Sequence, residues 1–263
     1  VLATLAGQHT EQGLENAPEV VANGAARLGY CGAGADVPEG LSEYIDHTLL
    51  RPDASPADID QLCDEAAEYG FAAVCINPSW VARAKKRLRT SGITVASVVG
   101  FPLGANTPEI KAVEARRALR DGAREIDMGL NIGAWKGGEH DRVRRDIAGV
   151  SDACREVGAL NKVIIEAAYL TDEEKVVACR LAVAGRAHYV KTSTGFGPGG
   201  ATVFDVALMR EVVGAKVGVK AAGGIHTADE VREMITAGAT RIGASAGVQI
   251  VGEEGGSSGG NGY

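Results

Sequence analysis

Aromatic side chains are scarce in this chain: two Trp, six Tyr and four Phe among 263 residues. A base-stacking ladder or an aromatic-rich recognition surface is therefore not expected. Basic blocks are also missing, and the 27 Lys and Arg are outnumbered by 34 Asp and Glu, giving a net charge of −7. Phosphate backbones demand clustered cations, so no nucleic-acid partner is expected. The five cysteines (Cys31, Cys63, Cys75, Cys154 and Cys179) are odd in number, scattered, and form no C-x-x-C pair. That pattern argues against a disulfide framework or a zinc site, and for a reducing cytoplasm. No apolar run reaches the roughly 18 residues that a membrane span needs, so no membrane association is expected. The opening "VLATLAGQHTEQ" lacks the charged and long apolar regions of a signal peptide. What the chain does have is 45% hydrophobic residues, 23% charged residues and 36 glycines. These are the proportions of a globular protein with a full core and many tight turns.

From residue 44 a rhythm sets in. Short β-branched or alanine-rich runs alternate with amphipathic stretches. The runs are "YIDHTLL" (44–50), "AAVCI" (72–76), "TVASVVG" (94–100), "REIDMG" (124–129), "KVIIEA" (162–167), "AHYVKT" (187–192), "VGVKAA" (217–222) and "TRIGAS" (240–245). Helical patterns fill 56–69, 78–90, 108–121, 141–157, 172–184, 202–213 and 228–237, and a short eighth starts near Ser245. Ser55 before Pro56 and Thr107 before Pro108 read as helix caps followed by proline in the first turn. Gly70, Gly92, Gly122, Gly158, Gly185 and Gly238 fall just past helix ends, where a left-handed residue is wanted.

Alternating strand and helix patterns require a parallel sheet. Eight such units predict a single-domain (β/α)8 TIM barrel over 44–251, close to the usual size of about 250 residues. An open doubly wound sheet is the runner-up, but no G-x-G-x-x-G follows the first strand. Residues 1–43 read as an extension, with a helix near 11–28 and then a glycine-rich segment. Residues 252–263 read as a flexible Gly/Ser-rich tail ending in Tyr263.

Chemistry in such a barrel sits at the carboxyl ends of the strands. The ionisable groups placed there by the pattern are Asp46, Asp127, Glu166, Lys191 and Lys220. Lys191 and Lys220 fall on neighbouring strands, which lie about 4.8 Å apart. Two amines that close are expected to lower each other's pKa, and a neutral amine is the nucleophile of Schiff-base chemistry. The bland alternative is that each lysine simply pairs with Asp127 or Glu166. Asp127 is a candidate for the proton transfers that such a reaction needs, whether or not it also holds a lysine. Asp46 fits the same role less well, because a strand-end aspartate often caps the next loop. The loops "KAAGGIHTADE" and "GASAG", together with Gly195 in "STGFGPGG", offer backbone N–H groups and the N-terminus of a helix near Thr227 to a phosphate.

The motifs "YIDHTLLRPDAS", "AVCINPSWV", "VVGFPLGAN", "EIDMGLNIG", "KVIIEAAYLT", "VKTSTGFGPGGAT", "VKAAGGIHT" and "RIGASAG" run in order from about Tyr44 to Val251. In this the chain resembles the deoxyribose-phosphate aldolase family, class I aldolases of the (β/α)8 type. The resemblance implies reversible cleavage of 2-deoxy-D-ribose 5-phosphate to D-glyceraldehyde 3-phosphate and acetaldehyde. It implies that Lys191 forms the Schiff base, Lys220 tunes it, Asp127 serves the proton transfers and Asp46 joins the relay. It puts the phosphate on Gly195, Gly223, Gly224, Gly243 and Ser245, and it implies neither metal nor cofactor. It sets Cys75 near the mouth, where a small core residue is the preferred reading, and leaves Tyr263 as a group that could dip into the site. The partners implied are a phosphorylated sugar and aldehydes, with a homo-oligomeric assembly, dimer or tetramer. Against the family pattern, His226 stands where an arginine is usual, leaving the anion site an imidazole whose charge varies with pH. Phe204 replaces an acid, Ala246 a serine and Gly129 a β-branched residue. Phe204 is expected to cost a helix-dipole contact and to expose its ring. Two other readings remain open: a different Schiff-base sugar-phosphate aldolase or transaldolase, and a sugar-phosphate-binding barrel without turnover.

Overall fold

The computed structural model describes residues 40–256; the expected helix near 11–28, the glycine-rich segment up to residue 39 and Tyr263 lie outside them. The described residues form eight strands: β1 (Ile45–Leu49), β2 (Ala73–Ile76), β3 (Thr94–Val99), β4 (Glu125–Gly129), β5 (Leu160–Ile164), β6 (Tyr189–Lys191), β7 (Gly218–Ala222) and β8 (Arg241–Ala244). All pair in parallel in sequence order, and β8 returns to β1, closing the barrel. The chain is a TIM barrel, as the rhythm predicts.

The helices are α1 (Pro56–Tyr69), α2 (Val81–Arg87), α3 (Pro108–Asp121), α4 (Ile132–Lys136), α5 (His140–Arg155), α6 (Asp172–Ala184), α7 (Val203–Val213), α8 (Ala228–Thr236) and α9 (Gly247–Gly256). None of the described helices is long and apolar enough to cross a membrane. Ser55 caps α1 as expected: its hydroxyl accepts from Asp58 N, and the Asp58 carboxylate accepts from Ser55 N at 2.7 Å. Thr107 takes the extended cap backbone, but its hydroxyl turns to Glu109 and caps nothing.

Three expectations change, and one further helix appears. The stretch 78–90 is a 3-10 turn (Pro78–Trp80) followed by the short α2. "NIGAWKGG", which carries no helical period long enough to read, folds as α4 because Asn131 accepts from Ala134 N at 3.0 Å. Residues 252–256, expected in the tail, continue α9. Gly185 is not left-handed (φ −77), and Arg186 takes that conformation instead (φ 64). Gly185 serves close packing, since a Cβ there would sit 2.5 Å from Ile147 Cγ2 on α5.

Alternation along each strand sorts the residues into two layers. Ile45, Val74, Ile76, Ile126, Met128, Val163, Val190, Val219 and Ile242 pack outward in one cluster with the helices, and all of them are fully buried. Each such aliphatic side chain contributes about 1.5–3 kcal/mol by leaving water. The inner face differs. Near β2 and β3 it is apolar, with Ala73, Cys75, Ala96 and Val98 packed on Leu50 and Phe101. Around the rest of the circle it is charged.

Candidate active site

Asp127 on β4 lies at the centre of this charged interior. Its Oδ1 accepts from Lys162 Nζ on β5 at 2.8 Å, and its Oδ2 accepts from Lys191 Nζ on β6 at 2.9 Å and from Lys220 Nζ on β7 at 2.8 Å. Closure of the barrel brings Asp46 on β1 to 2.5 Å from Lys220 and 3.5 Å from Lys162. Deeper still, Glu125 accepts from Lys162 at 2.5 Å, and Arg241 on β8 bridges Asp46 (2.6 Å) and Glu125 (3.1 Å). Three carboxylates thus face four cations in a largely buried interior. Lys162, Lys220, Asp46 and Asp127 are completely enclosed.

Burial opposes ionisation of Asp127, yet the ammonium groups of Lys162, Lys191 and Lys220 outweigh it and hold its carboxyl well below the usual range. Asp46 is lowered in the same way, with burial overcome by Lys220, Lys162 and Arg241. Burial likewise disfavours the Lys220 ammonium, but Asp127 and Asp46 reverse that and raise its pKa. This corrects the expectation that the paired lysines push each other down: it does not hold for Lys220. The register does place Lys191 beside Lys220. However, the groups touching Lys220 are carboxylates, and opposite charges at contact outweigh a like charge one strand away.

Above this cluster opens a cavity of about 390 Å³, and Lys191 lines it. The expected anion-binding positions Gly195, Gly223, Gly224, Gly243 and Ser245 line it as well, as does His226. Lys220, Asp127, Asp46 and Cys75 lie beneath, outside that lining. Gly243 keeps the floor open: a Cβ there would stand 3.0 Å from Lys220 Cε. One expected donor is taken. The N-terminus of α8 is closed by its own Glu230, which accepts from His226 N at 2.7 Å and Thr227 N at 3.0 Å. Any anion here is therefore left with the loop glycines and Ser245 rather than the α8 terminus.

Other departures from the family pattern also find their reasons. A side chain at Gly129 would meet Gly100 O at 2.8 Å, so a β-branched residue does not fit against this β3 loop. Phe204 is not left exposed but packs on Val176 and Leu208, while Asp205 supplies the acid in the first turn of α7. Nothing in the structure explains Ala246. Glu166, a lysine partner only in the bland alternative, bonds instead to Thr194.

Sequence reasoning missed Lys162, Glu125 and Arg241. Glu125 and Arg241 open their strands and Lys162 opens the apolar run within β5, where a charge reads as a solvated flank. The available signal was the period of two: Glu125 with Asp127, and Arg241 with Gly243, share an inward face. Cys75 is fully buried, its Sγ 4.0 Å from Asp127 Oδ2, and burial raises its pKa. Cys63, Cys154 and Cys179 are buried too, with pKa values pushed up to about 12 mainly by desolvation. In native protein at about pH 8, maleimide is accordingly expected to leave these four thiols unmodified, while unfolding exposes all of them. Peptide mapping reads the result, and rapid native labelling at Cys75 would contradict this burial.

An amine at the floor of an open cavity, touching a carboxylate able to exchange its proton, is equipped for imine chemistry on a carbonyl compound, the chemistry of a Schiff-base enzyme. The comparisons agree. The profile of the DeoC/LacD family aldolases matches residues 42–261. A deoxyribose-phosphate aldolase from Enterococcus faecalis is 58% identical over 211 residues, covering 80% of this chain and 96% of that one. Another from Thermococcus kodakarensis is 59% identical over 213 residues, covering 80% and 95%. Among solved structures, the tetrameric deoxyribose phosphate aldolase from Aeropyrum pernix superposes with a TM-score of 0.77 at 31% identity, covering 89% of this chain and 95% of that one. The chain belongs to the DeoC/LacD aldolase family and is, as such, a lyase.

Proposed function

We propose that this chain reversibly cleaves 2-deoxy-D-ribose 5-phosphate to D-glyceraldehyde 3-phosphate and acetaldehyde through a Schiff base on Lys191. The observation that carries the reading is Lys191 Nζ at the cavity floor, 2.9 Å from Asp127 Oδ2. The amine attacks the C1 aldehyde, and loss of water leaves an iminium. The C3 hydroxyl then gives up its proton as the C2–C3 bond breaks. C3 becomes the aldehyde of glyceraldehyde 3-phosphate, and the bonding pair passes into the iminium to form an enamine. Protonation of C2 and addition of water release acetaldehyde and free Lys191. Asp127 and Lys220, in contact at 2.8 Å, are the groups assigned to carry these protons, with Asp46 at 2.5 Å behind Lys220 as the relay.

The phosphate rests on Gly195, Gly223, Gly224, Gly243 and Ser245, beside His226. The test is acetaldehyde release from deoxyribose 5-phosphate by the purified chain; no release would overturn the reading. Ser245→Asp places a negative charge in the cradle. It is expected to raise KM for the phosphorylated sugar at least about tenfold, roughly 1.4 kcal/mol. Steady-state kinetics checks this, and an unchanged KM would remove Ser245 from the phosphate site. The same reading places the protein in the cytoplasm as a homo-oligomer. It is supported by the four buried thiols and by the tetrameric relative from Aeropyrum pernix.

A further inference from the structure

Glu166 follows β5 and is one of two non-glycine residues with positive φ among the described residues (φ 52; the other is Arg186). It is 6% exposed, and no Lys, Arg or His among the described residues pairs with it. A buried carboxylate without a cation, on a backbone that L-residues avoid, persists only where its surroundings hold it there. Its partners all belong to one segment. Both carboxylate oxygens accept from Thr194 N at 3.2 Å, and Oε2 also accepts from the Thr194 hydroxyl at 2.5 Å. The Thr194 hydroxyl in turn accepts from Phe196 N at 3.0 Å. Gly197 lies flat against the carboxylate, where a Cβ would come within 2.9 Å of Cδ.

That segment joins β6 to α7 and carries glycine at 195, 197, 199 and 200, so it has little stiffness of its own. Its near end forms the cavity wall through Thr194, Gly195 and Phe196. Its far end sets the next loop: Ala201 N donates to Gly223 O at 2.9 Å, and a Cβ on Gly200 would lie 2.3 Å from the same oxygen. Glu166 therefore grips one end of a flexible strap whose other end abuts the glycine pair after β7.

We propose that Glu166 is a positioning residue for phosphate selectivity. It locks the β6–α7 strap so that Gly195 and the Gly223–Gly224 pair hold their spacing before substrate arrives. This rests on the function proposed above. Glu166 touches no reacting atom in this scheme and acts through Thr194.

Two variants separate the carboxylate from the backbone. Glu166→Gln keeps the shape but leaves the Thr194 hydroxyl without its anionic acceptor. Glu166→Gly suits the positive φ and removes every side-chain contact. In both, the ratio of kcat/KM for deoxyribose 5-phosphate to that for 2-deoxyribose is expected to fall about tenfold or more, mainly through KM. Losses shared equally by the two sugars would mean that the carboxylate merely supports the fold, and would overturn the proposal. Calorimetry with inorganic phosphate reads the cradle without turnover: Kd is expected to rise about tenfold in both variants, and equal Kd values would overturn the proposal. A wild-type chain that binds phosphate in this way but releases no acetaldehyde would instead overturn the cleavage reaction, so the two failures are distinguishable.

Discussion

Replacing Lys191 by methionine is expected to abolish turnover, with kcat falling on the order of 10⁴-fold or more, while the barrel stays folded. The two halves of this expectation rest on different features. Lys191 lines the cavity, whereas Lys162 and Lys220 are sealed beneath it and cannot reach a carbonyl carbon without opening the barrel. Yet Asp127 keeps two ammonium partners, Lys162 and Lys220, when Lys191 is gone. The interior then holds three carboxylates and three cations, so no charge is stranded and the penalty of breaking a buried pair is largely avoided. Acetaldehyde and borohydride should leave an ethyl group on Lys191 in wild type and on no lysine in Lys191→Met. An ethyl group on Lys220, or a methionine variant that still turns over, would sink the assignment.

The difference between Lys191 and Lys220 marks the limit of what the sequence carried. Both lysines sit at the end of an apolar run, and the register confirms them as neighbours. The runs also yielded the closed barrel and the loops that line its mouth. What no run contains is the far side of the circle: Asp46 is 174 positions from Lys220 along the chain, and only closure of β8 on β1 puts them at 2.5 Å. Reading the two lysines as an isolated like-charged pair therefore gave the wrong sign for Lys220. Lys162 and Arg241 escaped notice for a related reason. In a sheet buried on both faces, an inward charge at a strand's first turn looks like its exposed flank. Glu166 was visible as a strand-end carboxylate, but its partner Thr194 could be found only once the segment after β6 was placed beside it.

Asp127→Asn is the substitution expected to do most harm to fold and catalysis together. The carboxylate takes hydrogen bonds from three ammonium groups, and a neutral amide leaves four cations facing two carboxylates. Breaking a buried pair by removing one partner costs about 3–5 kcal/mol, and loss of a positioned proton-transfer group costs about 10²–10⁴ in kcat. The stability loss should also carry a pH signature. The folded pKa of Asp127 lies below its unfolded value of about 3.9, held down by the lysines. Its stabilisation is therefore complete above that unfolded value and fades as pH falls through the folded one. Urea unfolding is thus expected to show wild type well ahead of Asp127→Asn at about pH 7, with the gap narrowing below about pH 4 as the unfolded wild-type chain takes up a proton that the folded carboxylate does not. The lysines give the opposite limb. Lys162 and Lys220 are raised by their carboxylates, so their contribution is present below about 10.4 and is lost only as pH climbs through the higher folded values. Removing Asp127 weakens that elevation, and the variant should lose stability at lower alkaline pH than wild type. A gap that stays constant from about pH 7 to about pH 3 would mean that Asp127 is not the ion holding the three lysines together.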